Sequence, residues 1–324
     1  MDEDSPKNFV PQMPGHRHST IRLPAEAPRG IQSVFDFLVE RFPRIDRGTW
    51  TERFESGKVF SDGGPLELST PYEAGLDVHY YREVDREAPV RRDYRVVFDH
   101  EDLLVIDKPH HLPVTPAGRW IRNSLLLILE AELGETELAP LHRIDRLSSG
   151  LVLFSRRRQS RRSYSRLFQP TIQLTKEYLV VCELRRASFP IRFKLEDHIR
   201  RSPEAWYRQE IFPGAPVNAR CEIFKIEQQG KLALYRVQSK TGRKHQLRVQ
   251  LARVGLPILG DPLYGSRPRN DPEDISTRLF LDAHRIEIGD FPPIQGKTWI
   301  SRETPESFFQ EAVSAQATQP RENL

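Results

Sequence analysis

Hydrophobic residues first recur at helical spacing at Val34, Phe35, Leu38 and Phe42, and they predict a helix there. A second short helix is expected across residues 49–55, followed by turns and short strands in SGKVF, Gly63-Gly64 and LDVHYYREV. These make a small module over residues 29–86. It follows a tail at 1–28 that is rich in Pro, His, Arg and Ser and lacks apolar periodicity. A larger body opens at the linker-like EAPVRR and runs from 87 to 300, and 301–324 reads as a C-terminal tail. Within the body, YRVVF, LLVID, GLVLFS, TKEYLVVCEL and RLFLDAHRIEIG predict strands. ARCEIFKIEQQGKLALYRVQSK predicts a hairpin turning at Gln229-Gly230. LLLILEAEL, capped by Asn123 or Ser124 and stopped by Gly134, predicts a helix. The arginine-rich segment after GLVLFS predicts another, and RKHQLRVQLARV, closed by Gly255, a third. Strands returning by hairpins with helices between them argue for an α+β fold on a mixed sheet, against a doubly wound parallel one.

A chain of 324 residues has room for one large domain and a small one. Hydrophobic residues at 38% and charged residues at 29% suit a soluble globular protein. The longest apolar runs, such as 125–129, fall far short of the roughly 18–20 residues that span a bilayer. The acidic N-terminus, with no apolar stretch behind it, does not read as a secretory signal. Cys182 and Cys221 stand far apart without zinc-site spacing, as expected of buried reduced thiols in a cytoplasmic protein. Net charge is only +4, but residues 151–170 hold six arginines and no acidic residue. In a helix, Arg158, Arg161, Arg162 and Arg166 would share a face suited to a polyanion, a solvated face being the alternative. The strand before them starts close to Asp145, so the run is expected to emerge near the cleft.

There is no HExxH, P-loop, GxGxxG after a strand or paired CxxC, which argues against zinc hydrolases, NTPases and dinucleotide enzymes. LHRIDRLSSGLVLFS, residues 141–155, puts Asp145 on a loop between basic residues ahead of a strand, where arginines favour the carboxylate. A structural salt bridge in a turn explains the same residues. GRKHQLRVQL, residues 242–251, places Arg243 and Arg248 near the start of a helix, able to fork onto a carboxylate or to stay solvated. His245 beside them reads most simply as a helix-terminus hydrogen bond. Lys176 and Tyr178 share one face of a strand, where the tyrosine could stack on a base or simply pack.

Together these segments resemble the RluA-type pseudouridine synthases. That family carries His-Arg-Leu-Asp-x-x-Thr-Ser-Gly, a Lys-x-Tyr strand, and Gly-Arg-x-His-Gln-[Ile/Leu]-Arg-[Val]-His followed by Gly-Asp-x-x-Tyr-Gly. Here the order is kept as HRIDRLSSG, KEY and GRKHQLRVQL…GDPLYG, and EDLLVIDKPHHLPV is similar to the family's strand and Lys-Pro. The likeness covers roughly residues 93–290. Ser148, Ile144, Lys244 and Gln250 stand where the family usually has Thr, Leu, Thr and His, the last two beside the expected cleft. The Arg-rich stretch 186–218 lacks a family pattern.

The resemblance implies a large mixed, mostly antiparallel sheet with a central cleft, preceded by a small RNA-binding-type module. It implies isomerisation of uridines in structured ribosomal or transfer RNA through catalytic Asp145. Arg143 would displace the base, Tyr178 would pack on the flipped ring, Leu247 would line the pocket, and Arg248 would pair with Asp145. Arg158, Arg161 and Arg162 would hold RNA phosphates outside the pocket. Isomerisation adds and loses no group, so no metal or other cofactor is expected. The protein is expected to be a cytoplasmic monomer without membrane contact. Two other readings are an RNA-binding protein on a degenerate scaffold, whose mark would be loss of Asp145, Tyr178 or Arg248, and a hydrolase using Asp145 with Glu177 or Asp261.

Overall fold

Asp46 and Ser33 each accept a hydrogen bond from the backbone N–H three residues ahead, which starts two short helices near the N-terminus. A computed structural model describes residues 18–43, 45–82, 87–169, 174–186, 189–205, 207–265, 277–291 and 294–317. The chain divides after Glu87 into two units. In the first, strand β1 (Ser19–Arg22) precedes helices α1 (Val34–Arg41) and α2 (Arg47–Glu55) and strands β2 (Val59–Ser61), β3 (Gly64–Pro65) and β4 (Asp77–Tyr80). The strands make an antiparallel sheet in the order β1-β4-β2-β3. Val34, Leu38, Trp50 and Val59 fill the core between helices and sheet. The expected tail at 1–28 is corrected over its last part, because Ser19–Arg22 pairs with β4 and Leu23 is buried in this core. Four residues carry too little pattern to announce a strand until an edge is present to pair with. Residues 1–17 lie outside the described residues.

The second unit is built on one sheet. Its elements are β5 (Arg95–Asp99), β6 (Leu103–Lys108), α3 (Leu125–Leu133), β7 (Ala139–Pro140), β8 (Ser149–Ser155), α4 (Arg158–Ser165) and β9 (Leu174–Glu183). They continue as β10 (Arg192–Asp197), β11 (Ile199–Arg201), β12 (Gln209–Ile211), β13 (Ala219–Gln229), β14 (Leu232–Ser239), α5 (Gln246–Arg253), β15 (Leu281–Ile288), β16 (Thr298–Ile300) and α6 (Pro305–Ala317). Among the described residues the sheet runs β10-β13-β14-β9-β15-β8-β6-β5, with β16 beside β15 and β7 beside β8. The strands pair antiparallel except at one seam, where β15 runs parallel to β8 and pairs Asp282 with Ser149 and Ala283 with Gly150. At that seam a Cβ on Gly150 (φ 107°) would sit 2.5 Å from the Ala283 backbone, so only glycine lets the strands close. Strands β11 and β12 stand apart as a two-stranded ribbon.

Residues 301–324, expected to be a tail, are corrected over 305–317. There α6 buries Phe308, Phe309 and Ala312 against Leu179, Leu234, Leu259 and Phe280. Two adjacent phenylalanines and an alanine make a short apolar stripe, and the sheet face they cover makes it a helix. Replacing Phe308, which is fully buried, by Ala should therefore cost about 3–5 kcal/mol in denaturant unfolding of the chain. A loss below about 1 kcal/mol would mean that α6 is not part of this core.

Candidate active site

Asp145 sits on the loop that enters β8, and that loop is tied down from beneath. Lys108, the last residue of β6, is fully buried, and its ammonium donates to the carbonyls of Ser148 at 2.6 Å, Pro109 at 2.9 Å and Arg146 at 3.4 Å. Burial pushes its pKa down to about 7, against the pull of Asp145. The start of β8 is pinned across the parallel seam, where Ser149 Oγ donates to Asp282 Oδ2 at 2.6 Å. Asp282 also accepts from Ser301 Oγ at 2.6 Å, and burial raises its pKa to about 6. The Ser148 N–H donates to the Asp145 carbonyl at 3.1 Å and tightens the turn. The loop is thus braced on the C-terminal side of Asp145.

One guanidinium holds two carboxylates. Arg248, in the first turn of α5, donates from Nε and Nη2 to Asp261, each at 2.8 Å, and from Nη1 to Asp145 Oδ2 at 2.8 Å. Asp261, whose side chain is 0% exposed, also accepts the N–H groups of Leu263 and Tyr264 at 2.8 and 3.1 Å. The turn ahead of it needs Gly260, because a Cβ there would overlap the Arg278 carbonyl. The Asp145 side chain keeps 27% of its surface exposed, against 3% for Arg248. Burial alone would raise the pKa of Asp145. The charge of Arg248 and the hydrogen bond that it donates outweigh it and hold the carboxyl below its ordinary value. Both His245 Nε2, at 3.9 Å, and Arg248 face Oδ2. Among the described residues, Oδ1 takes no hydrogen bond.

Tyr178 lies on β9, half-buried against the core that includes Val180, Leu247 and Leu281. Burial and the nearby charge of Asp145 push its phenol up to about 12, so it stays protonated at neutral pH. Leu247 is buried in the same core. Arg143 is exposed two residues before Asp145, and no hydrogen bond or ion pair engages its side chain among the described residues.

Two expectations are corrected. The seven residues of β8 carry the chain roughly 20 Å along the sheet, so the arginine run emerges far from the Asp145 loop. Acidic residues absent from the local sequence also meet it. Arg156 pairs with Asp99 and Glu135, Arg157 with Glu101, and Arg161 donates to the Glu137 carbonyl at 2.8 Å. Arg158 and Arg162 remain exposed. Gln250, expected beside the cleft, is instead fully buried and donates to Asp197 Oδ2 at 2.7 Å. Glu177, weighed as a second catalytic carboxylate, accepts from Gln238 Nε2 at 2.8 Å and faces Arg236 and Arg285, while Asp261 is taken by Arg248; both are structural. Sequence reasoning missed the roles of Lys108 and Tyr264, although both stand in motifs it quoted. The separation of Asp261 and Tyr264 by a two-residue turn was the available signal.

Residues 102–253 match the RNA pseudouridylate synthase family. Over 237 residues the chain is 32% identical to an RNA pseudouridine synthase of Synechocystis, covering 72% of this chain and 79% of that protein. It is 29% identical over 252 residues to the mitochondrial tRNA pseudouridine(32) synthase of Saccharomyces cerevisiae, covering 77% of this chain and 54% of the yeast protein. The solved structure of human RNA pseudouridylate synthase domain containing 1 matches in fold, with a TM-score of 0.53 and 20% identity over 71% of this chain and 97% of that one. With these relatives and an arginine-held aspartate in the family's signature loop, the chain belongs to the RluA-type pseudouridine synthases, isomerases that act on RNA.

Proposed function

We propose that this protein converts specific uridines to pseudouridine in a structured RNA, ribosomal or transfer, with Asp145 as the catalytic group. The observation that carries the reading is the Arg248–Asp145 pair at 2.8 Å, which engages Oδ2 and leaves Oδ1 without a hydrogen bond on a partly exposed side chain. Isomerisation breaks the glycosidic bond, turns the uracil and rejoins it through carbon five, so a single ionised carboxylate can serve on the sugar as nucleophile or as base. Both roles need the anion at neutral pH, and the guanidinium supplies that condition. The target base must leave its stack, at a cost of a few kcal/mol. In this reading the guanidinium of Arg143 would help displace it, the ring of Tyr178 would pack on it, and Leu247 would line the pocket. The tRNA named for the yeast relative makes transfer RNA the first substrate to try. The N-terminal module and the exposed Arg158 and Arg162 would add RNA affinity away from the reacting base.

Asp145→Asn should abolish pseudouridine formation on total RNA from a strain lacking the gene, while RNA affinity and the melting curve stay near wild type. Normal turnover by this variant would remove Asp145 from the mechanism. Arg248→Lys keeps the charge but cannot fork onto Asp261 while reaching Asp145. It should slow turnover roughly 10- to 100-fold, equivalent to losing about 1.5–3 kcal/mol of charge-assisted hydrogen bonding. A wild-type rate would mean that Arg248 is dispensable. Changing Arg158 and Arg162 together to Gln should flatten the log–log salt dependence of RNA binding by roughly 1.4–1.8. An unchanged slope would return this face to solvent.

A further inference from the structure

The ribbon of β11 and β12 falls in the stretch without a family pattern, yet it rests directly on the site. Ile199 of β11 packs with Ala219, Val249 and Tyr264, and Ile211 packs against the same cluster. The Arg208 guanidinium lies 5.2 Å from the centre of the Tyr264 ring. The backbone N–H of Gln209, the first residue of β12, donates to Tyr264 Oη at 2.7 Å. That hydroxyl is 3.0 Å from His245 Nδ1, and His245 Nε2 is 3.9 Å from Asp145 Oδ2. A line of polar contacts therefore runs from the ribbon backbone to the carboxylate.

The direction of the hydrogens along this line follows from the donors. Tyr264 Oη already accepts from Gln209, and His245 Nδ1 is the one acceptor for its own hydrogen among the described residues. Were Nδ1 protonated instead, the buried hydroxyl hydrogen would lack a partner, at a cost of about 1–3 kcal/mol. The arrangement that satisfies every group has Nδ1 accepting and Nε2–H turned to Asp145. His245 is also held in the left-handed region at φ 53°, a conformation that costs a residue with a side chain and persists only where its surroundings impose it. Burial pushes its pKa down to about 4, with Asp145 and Asp261 pulling up and Arg248 and Lys244 pushing down, so the ring facing the carboxylate is neutral.

We propose that Tyr264 and His245 are positioning residues for Asp145 and that the β11–β12 ribbon sets them, so that the seating of the ribbon controls the reacting carboxylate. The ribbon is thus a specificity element. An RNA that disturbs or secures it beside the cleft changes the rate of the chemical step, separately from its binding. The activity arm of this inference rests on the proposed uridine isomerisation; the tautomer arm does not.

The test removes the link from either end. Tyr264→Phe deletes the hydroxyl and keeps the ring. Gln209→Pro deletes the donating N–H at the first position of a strand, where proline is tolerated. Each should slow single-turnover pseudouridine formation at saturating total RNA from a deletion strain by roughly threefold to tenfold, the worth of one hydrogen bond. The Kd for that RNA should hold within about twofold. The double variant should be no slower than Tyr264→Phe alone, because that change already removes the one bond that Gln209→Pro deletes. Unchanged rates, multiplying effects, or a weakened Kd with an intact rate would each overturn the proposal. Independently of RNA, nitrogen NMR of the wild-type histidines at neutral pH, with His245 assigned by its loss in His245→Gln, should show the Nε2–H tautomer. An Nδ1–H or doubly protonated His245 would overturn the proposal even if Tyr264→Phe and Gln209→Pro both failed to fold. A wild type inactive on RNA would sink the uridine assignment and leave the tautomer result to decide this one.

Discussion

A guanidinium buried between two carboxylates is the constraint on which the rest of this site depends. Taking Arg248 out of water is expensive, and Asp261 offsets that cost with a fully buried, two-point contact. Because Nε and Nη2 are spoken for, Nη1 has a fixed direction, and Asp145 must come to it. Asp261 is in turn fixed by two backbone N–H groups, and the turn that supplies them closes only on glycine. The charge arithmetic matters as much as the geometry. One carboxylate neutralises the arginine structurally, so Asp145 meets a cation already anchored, and the local trio keeps a net negative charge at the exposed end.

The same logic explains why the surrounding scaffold is mixed. An antiparallel meander places strands next to their chain neighbours, whereas the Asp145 loop needs support from both flanks. Lys108 reaches it from β6 and Asp282 from β15, two strands on opposite sides of β8. The parallel seam brings β15 in with Asp282 beside Ser149 and Ala283 beside Gly150.

Where pattern is long and local, the sequence was readable: α1, α3 with its Gly134 stop, the β13–β14 hairpin and the helix of Arg248 all show in periodicity and caps. The elements that escaped are those whose pattern is borrowed. β1 is four residues completed by β4, and α6 is an apolar stripe completed by the sheet it covers. The site divides in the same way. Asp145, Tyr178 and Arg248 stand in dense motifs, but the bond between Asp145 and Arg248 spans 103 residues and no local pattern encodes it. The arginine run misled for the converse reason. The acidic partners of Arg156 and Arg157, Asp99, Glu135 and Glu101, lie outside the segment, so a charge count over it overstates the field at those two positions.

The bond between Ser149 and Asp282 joins positions 133 residues apart, and it has a consequence in time as well as in space. During synthesis the Asp145 loop leaves the ribosome long before β15 exists, and until then one flank of β8 lies open and its first residue is unpinned. Contacts of such separation form late, because the long intervening chain must be closed before they return any stability. The bracing of the Asp145 loop is therefore complete only once β15 is in place. A nascent or prematurely ended polypeptide that already carries the whole signature loop lacks the partner that pins the first residue of β8.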